Sequence, residues 1–132
     1  MSDLRFAGYA AIFNRIDKGG DIIRPGAFGA LAEGQSLPLL WQHSPAQRIG
    51  HIDHAREDRR GLRVMGHVST ATRAGRTAAA MLSGGEVKGL SFGYRVRQAA
   101  GQKPRELHAL DVVEVSLVTF PMQPLARVHL LI

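Results

Sequence analysis

Residues 88–97, KGLSFGYRVR, alternate by twos, with Leu90, Phe92, Tyr94 and Val96 on one side of an extended chain and Gly89, Ser91, Gly93 and Arg95 on the other. The pattern predicts a β-strand that carries one serine between two residues without side chains. Interior glycine weakens a strand and is used where a backbone or ligand comes close, so Ser91 reads as a hydroxyl that something is meant to reach. A serine making only local hydrogen bonds fits the same string. The β-pattern also runs straight through it, without the strand-to-helix turn of the α/β-hydrolase elbow.

Elsewhere the apolar positions fall into short strands. Residues 4–13, LRFAGYAAIF, alternate loosely with small residues and suit a first strand packed closely on its neighbours. Residues 14–20 are polar and turn-rich, and Asp21-Ile22-Ile23 is a short extended piece. Pro25 stands where a helix favours its first residue, which predicts a short helix over 27–33 closed by Gly34. Residues 36–41, SLPLLW, predict a buried strand whose proline asks for an edge or a bulge, and which delivers Trp41, Gln42 and His43 to its end. A loop over 44–48 follows, then strands over 49–55 and 62–68 joined through Asp58-Arg59-Arg60-Gly61 as a β-hairpin.

The clearest helix comes next, capped by Ser69 or Thr70, with alanines and Met81-Leu82 on its apolar side and Ser83-Gly84-Gly85 at its end. After the strand bearing Ser91, a polar loop over 98–104 leads to the apolar run 110–120, halted by Pro121 and Pro124, and a last strand spans 127–132. About seven strands and two helices, without regular βαβ alternation, predict a mainly β fold with some helix. The expected form is a closed or nearly closed β-barrel with the helices outside it.

Composition narrows this further. At 132 residues the chain is expected to form a single domain over 1–132. Its 45% hydrophobic and 21% charged residues fit a folded chain rather than a disordered one. The absence of cysteine excludes disulfides, thiolate metal ligands and cysteine nucleophiles. No apolar run approaches the ~18 residues of a membrane span, and the start MSDLRFAGYA has no basic stretch leading into an apolar core. The expectation is a cytosolic protein, or one packaged from the cytosol, without a membrane partner. A net charge of +6 invites a nucleic-acid reading, but the arginines are scattered and only two tyrosines and one tryptophan are available for stacking. Basic surface serves an acidic protein partner equally well, so nucleic acid is not the expected partner.

A serine attacks a carbonyl only if a base takes its proton and a further group holds that base in place. Among six histidines, His43 is the one that a buried apolar strand delivers into a loop, beside Trp41 and close to Pro45. An ordinary surface histidine fits the same position. In the run LDVVEVSLVTF, Glu114 has Val112 and Val113 before it and Val115 after it. A carboxylate there needs hydrogen bonds or a positive partner. An imidazolium would serve, which makes Glu114 a candidate orienting acid, and so would an arginine. His51 and His54, three apart on a strand, point to opposite faces and would need a bulge to converge on an ion. No helical metal-binding motif and no glycine-rich phosphate loop accompanies them, so neither metal nor cofactor is expected.

Five short elements occur in order: GYAAIFN, Arg24-Pro25-Gly26-Ala27-Phe28, LPLLWQH, GLSFGYRV and LDVVEVSLVTFP. In this ordered set, over almost its whole length, the chain resembles the prohead (capsid maturation) proteases of tailed bacteriophages, a family related in fold to the herpesvirus assemblins. The resemblance implies a herpesvirus-protease-like fold, with His43 as general base, Ser91 as nucleophile and Glu114 as third member. Herpesvirus relatives use a second histidine in that third place, which keeps His108 as an alternative. It implies acyl transfer through a serine acyl-enzyme, with Arg95, Arg97 and Arg127 as candidate oxyanion donors.

The implied substrate is scaffold or the N-terminal region of the major capsid protein, cut inside an immature viral or virus-like shell in the bacterial host cytoplasm. A homo-oligomer, a dimer as in the assemblins, is the implied assembly. Two features depart from the family pattern. Met122-Gln123-Pro124 stands where small or polar residues are usual, so the local loop is expected to differ. The chain also stops soon after its last strand, where many relatives carry a further segment, so a short form or one targeted by another protein is expected. A catalytically inactive capsid- or scaffold-associated module of the same fold is the alternative reading.

Overall fold

The strand-forming runs assemble around one central strand in the computed structural model, which describes residues 3–31 and 35–132. The elements are β1 (Leu4–Ile12), β2 (Asp21–Ile23), β3 (Leu37–Trp41), β4 (Ser44–Glu57), β5 (Gly61–Val68), α1 (Arg73–Ser83), β6 (Gly89–Ala100), β7 (Arg105–Val118) and β8 (Val128–Leu131). They form an eight-stranded sheet in the order β2-β7-β3-β4-β5-β1-β8, with β6 on the other edge of β7. β7 is antiparallel to β6 along its length and parallel to β2 at residues 105–107 and to β3 at residues 115–117. Residues 112 and 114–118 are all buried, so both faces of its second half are covered, which is why that half reads as a nearly unbroken apolar run.

The core lies against β7 and β6, where Leu90, Leu107, Leu110, Val115 and Leu117 meet Phe6, Leu39, Leu62 and Val64 with almost no exposure. Phe28 packs edge-on against Phe92, with ring centroids 5.5 Å apart. Helix α1 contributes Ala78, Ala79 and Leu82.

Several expectations change. The ladder does not close as a barrel. β8 ends on β1, and the gap to β6 is spanned by one isolated bridge, Gly89 to Arg127, flanked by Leu90 N–H to Ala126 C=O at 2.9 Å and Val128 N–H to Lys88 C=O at 2.8 Å. Pro121 and Pro124 have no N–H to offer a ladder, and the pairing with β6 begins only past them, at residues 126–128. Among the described residues there are eight strands rather than about seven, and one helix rather than two.

Residues 25–30 form successive turns, with Ala27, Gly29 and Leu31 donating to carbonyls three residues back. The Glu57 carboxylate takes the N–H groups of Gly26 and Phe28 at 3.0 and 2.9 Å. The rest of the expected 27–33 helix and its closing Gly34 lie outside the described residues. The cap of α1 is Thr72, whose side chain accepts from Gly75 N–H at 3.0 Å, because Ser69 N–H is still bonded to Ile49 C=O. The β4–β5 hairpin forms as expected. Pro38 stands one residue before β3 begins pairing with β7, where its missing N–H leaves no gap in that ladder.

Candidate active site

The first local feature of the site is a tight turn. Trp41 pairs with Ser44, so the expected 44–48 loop is the start of β4, and Gln42 and His43 alone connect the strands. Both have positive φ, 50° and 61°, as two-residue primed turns require, in a region that side-chain-bearing residues usually avoid. Each such residue costs on the order of 1 kcal/mol and persists only where its surroundings hold it. Here the end of β7 holds it. Gln42 N–H donates to Leu117 C=O at 2.9 Å, and the Gln42 amide donates to the Thr119 hydroxyl and accepts from Thr119 N–H. His43 N–H donates to the Ser116 hydroxyl at 3.2 Å.

The second feature is the face that β6 and β7 share. Ser91 lies opposite Ser116 and Gly93 opposite Glu114. The Glu114 side chain occupies the space a Gly93 side chain would need: a Cβ there would sit 2.6 Å from Oε1. Glu114 Oε1 lies 2.5 Å from His43 Nδ1, and the Ser116 hydroxyl donates to Oε2 at 2.6 Å. Glu114 is only 8% exposed, and among the described residues no arginine pairs with it. The apolar flanks resolve through a bulge. The register shift between Gly93 and Tyr94 leaves Val113 unpaired and half exposed, while Val112 stays buried.

Ser91 is 8% exposed and lines a cleft of about 90 Å³ together with His43, Asp17, Tyr94, Met122 and Gln123. Burial holds the Tyr94 phenol above the usual tyrosine range, and the negative charges of Asp21 and Asp17 add to the effect. Half of the His43 side chain stays open to solvent. With Nδ1 engaged by a carboxylate, Nε2 is the ring nitrogen left for proton exchange.

The unusual Met122-Gln123-Pro124 stretch is fixed by Gln123, whose amide accepts from Ile12 N–H and donates to Ile12 C=O, both at 2.8 Å. No local signal could reveal a partner so distant in sequence. Ser116 was also absent from the sequence-derived candidates. The period of two from Glu114 was its available signal, and only the pairing with β6 gives that signal meaning.

Other candidates fall elsewhere. His108 faces Glu106, with Nε2 4.0 Å from Oε1, and lies six residues from Glu114, roughly 20 Å along an extended strand. Arg97 pairs with Asp111 at 3.6 Å, Arg95 is exposed opposite Asp111, and Arg127 is exposed while its carbonyl accepts from Tyr9 N–H. None of these three lines the cleft. His51 contacts Arg48 and stacks on His67, and among the described residues no three histidine or acidic side chains gather as metal ligands.

Comparison with known proteins yields three findings. The family described as caudovirus prohead serine protease matches residues 2–131. The prohead protease of Enterobacteria phage HK97 is 34% identical over 125 residues, covering 88% of this chain and 55% of that protein, so the chain spans about half that relative's length. Among solved structures, KSHV protease with a hexapeptide phosphonate inhibitor superposes with a TM-score of 0.71 at 13% identity, over 96% of this chain and 64% of that one. Varicella-zoster virus protease gives 0.63 at 16% identity, over 97% and 64%. At such identities these two likenesses concern the fold.

Proposed function

Because the chain belongs to the caudovirus prohead serine protease family, we propose that it is a serine endopeptidase. Its substrate in this reading is scaffold or the N-terminal region of the major capsid protein, cut inside an immature viral or virus-like shell in the bacterial host cytoplasm. The observation that carries the reading is the 2.5 Å contact between His43 Nδ1 and Glu114 Oε1 on a cleft that Ser91 also lines.

In the first step the Ser91 hydroxyl oxygen attacks the scissile carbonyl carbon while its proton passes to His43 Nε2. The imidazolium so formed is stabilised by the Glu114 carboxylate, which also fixes the ring's orientation. Collapse of the tetrahedral intermediate breaks the C–N bond, and the leaving amine takes the proton from His43. Water then repeats the sequence on the acyl-enzyme, returning Ser91 as a free hydroxyl. Polar donors at the developing oxyanion complete the chemistry. Self-association as a dimer is part of this proposal, by likeness to the assemblins.

The test is co-expression of the chain, as wild type and as Ser91→Ala, with the major capsid protein encoded beside it, followed by intact-mass analysis of the capsid protein. Trimming at one defined site by the wild type alone supports the reading and its nucleophile. Trimming by both variants overturns Ser91 as nucleophile. Trimming by neither, with scaffold and shell supplied, favours an inactive module of the same fold.

A further inference from the structure

Ser116 is opposite Ser91 in the β6–β7 ladder, and the two hydroxyls stand on the same face. Their situations differ. Ser91 lines the cleft, whereas Ser116 has no solvent exposure at all. Its one proton is committed: Oγ lies 2.6 Å from Glu114 Oε2, and an ionised carboxylate can only accept. Its lone pair takes the backbone N–H of His43 at 3.2 Å. A hydroxyl so buried cannot meet a substrate carbonyl, and with its proton and a lone pair both engaged it is a good clamp.

We propose that Ser116 is a positioning residue that locks the His43–Glu114 pair, holding the carboxylate by its second oxygen and the histidine by its main chain. The inference rests on the protease reading above for its kinetic consequence, but not for its structural one. Two features give the clamp something to do. His43 sits at φ 61°, in a conformation its own backbone disfavours, so the turn needs external partners at the end of β7. Glu114 carries two oxygens, and with only His43 bound its carboxyl group could swing about the contact. With Oε2 held by Ser116, the Nδ1 contact keeps one geometry.

The test compares Ser116→Ala and Ser116→Thr with the wild type. Loss of a hydrogen bond to a charged group is expected to lower kcat about ten- to hundredfold in Ser116→Ala, with KM within about twofold. Its acid limb, which reports protonation of the His43 base, shifts from the wild-type position, because the carboxylate facing His43 loses its second partner. Asp17 and Tyr94, the other titratable groups on the cleft, are the same in every variant. Ser116→Thr, which keeps the hydroxyl, returns the acid limb to its wild-type position. A role limited to stability would reduce the active fraction, counted with a serine-reactive phosphonate, and leave kcat per active site and the acid limb unmoved; that result overturns the proposal.

A second measurement needs no turnover. In a Ser91→Ala background, the His43 imidazole is titrated by NMR with Ser116 present or replaced by alanine. A shifted His43 titration supports the clamp even if cleavage is never seen. An unshifted one, in a folded protein, overturns it while leaving the protease reading intact.

Discussion

Replacing Gly93 with alanine tests the geometry of the site without touching any of its polar groups. The new Cβ would stand 2.6 Å from Glu114 Oε1 and 3.2 Å from both Cγ and Cδ. To reach an ordinary separation of 3.4 Å, the carboxylate must move by about 0.8 Å. It cannot do so freely, being bound at 2.5 Å to His43 Nδ1 and at 2.6 Å to the Ser116 hydroxyl. Loss of one hydrogen bond to a charged group is worth about 1.5–3 kcal/mol, which in the transition state corresponds to a ten- to hundredfold lower kcat. The fold should suffer less. Overpacking costs about 1–3 kcal/mol, and alanine recovers about 0.5–1 kcal/mol of the entropy that glycine forfeits in a strand. The assay is kcat on a capsid-derived peptide beside a thermal melt of the same preparation. A folded Gly93→Ala protein with kcat within twofold of wild type would refute the claim that this glycine exists to admit the carboxylate.

Two further outcomes follow from other parts of the molecule. Gln123→Ala removes both partners of the Ile12 peptide groups in a buried setting, and it should destabilise the protein by about 2–4 kcal/mol in urea unfolding; a loss under 0.5 kcal/mol would show that water or a shifted loop replaces the amide. Because burial raises the Tyr94 pKa on folding, the folded state binds that proton more tightly than the unfolded one. The resulting stability is complete below the ordinary tyrosine value of about 10 and declines as pH rises through the higher folded value. Melting temperatures between pH 8 and 11 should therefore fall more steeply for wild type than for Tyr94→Phe, and parallel curves would count against it.

Much of the site could be read one strand at a time. The alternation around Ser91 placed the serine and its two glycines on one face, and a carboxylate among valines at 114 advertised a partner. Gly93 was legible as a point of close approach, but the approaching group is Glu114 rather than a ligand or a backbone. Glu114 was read as apolar on both sides because a bulge has no sequence mark here; Val113 is simply turned out to solvent. His43 was expected at the head of a five-residue loop. It is half of a two-residue turn, which no Asn-Gly or Asp-Gly pair announced, and which Leu117, Ser116 and Thr119 stabilise from another strand.

Local pattern determined the centres of the strands but not their ends, the long helix and its glycine end, and which residues had chemistry to offer, because period-two and helical spacing are properties of neighbours along the chain. Which edges met was a different matter. β3 lies parallel to β7, and that register alone carries His43 to Glu114, 71 residues away in sequence. The open ladder between β8 and β6, the Gln123 clasp on Ile12 and the pairing of Ser116 with Ser91 are equally long-range. Such contacts depend on how whole strands bury their apolar faces together, and the order of residues within any one strand does not specify its partner.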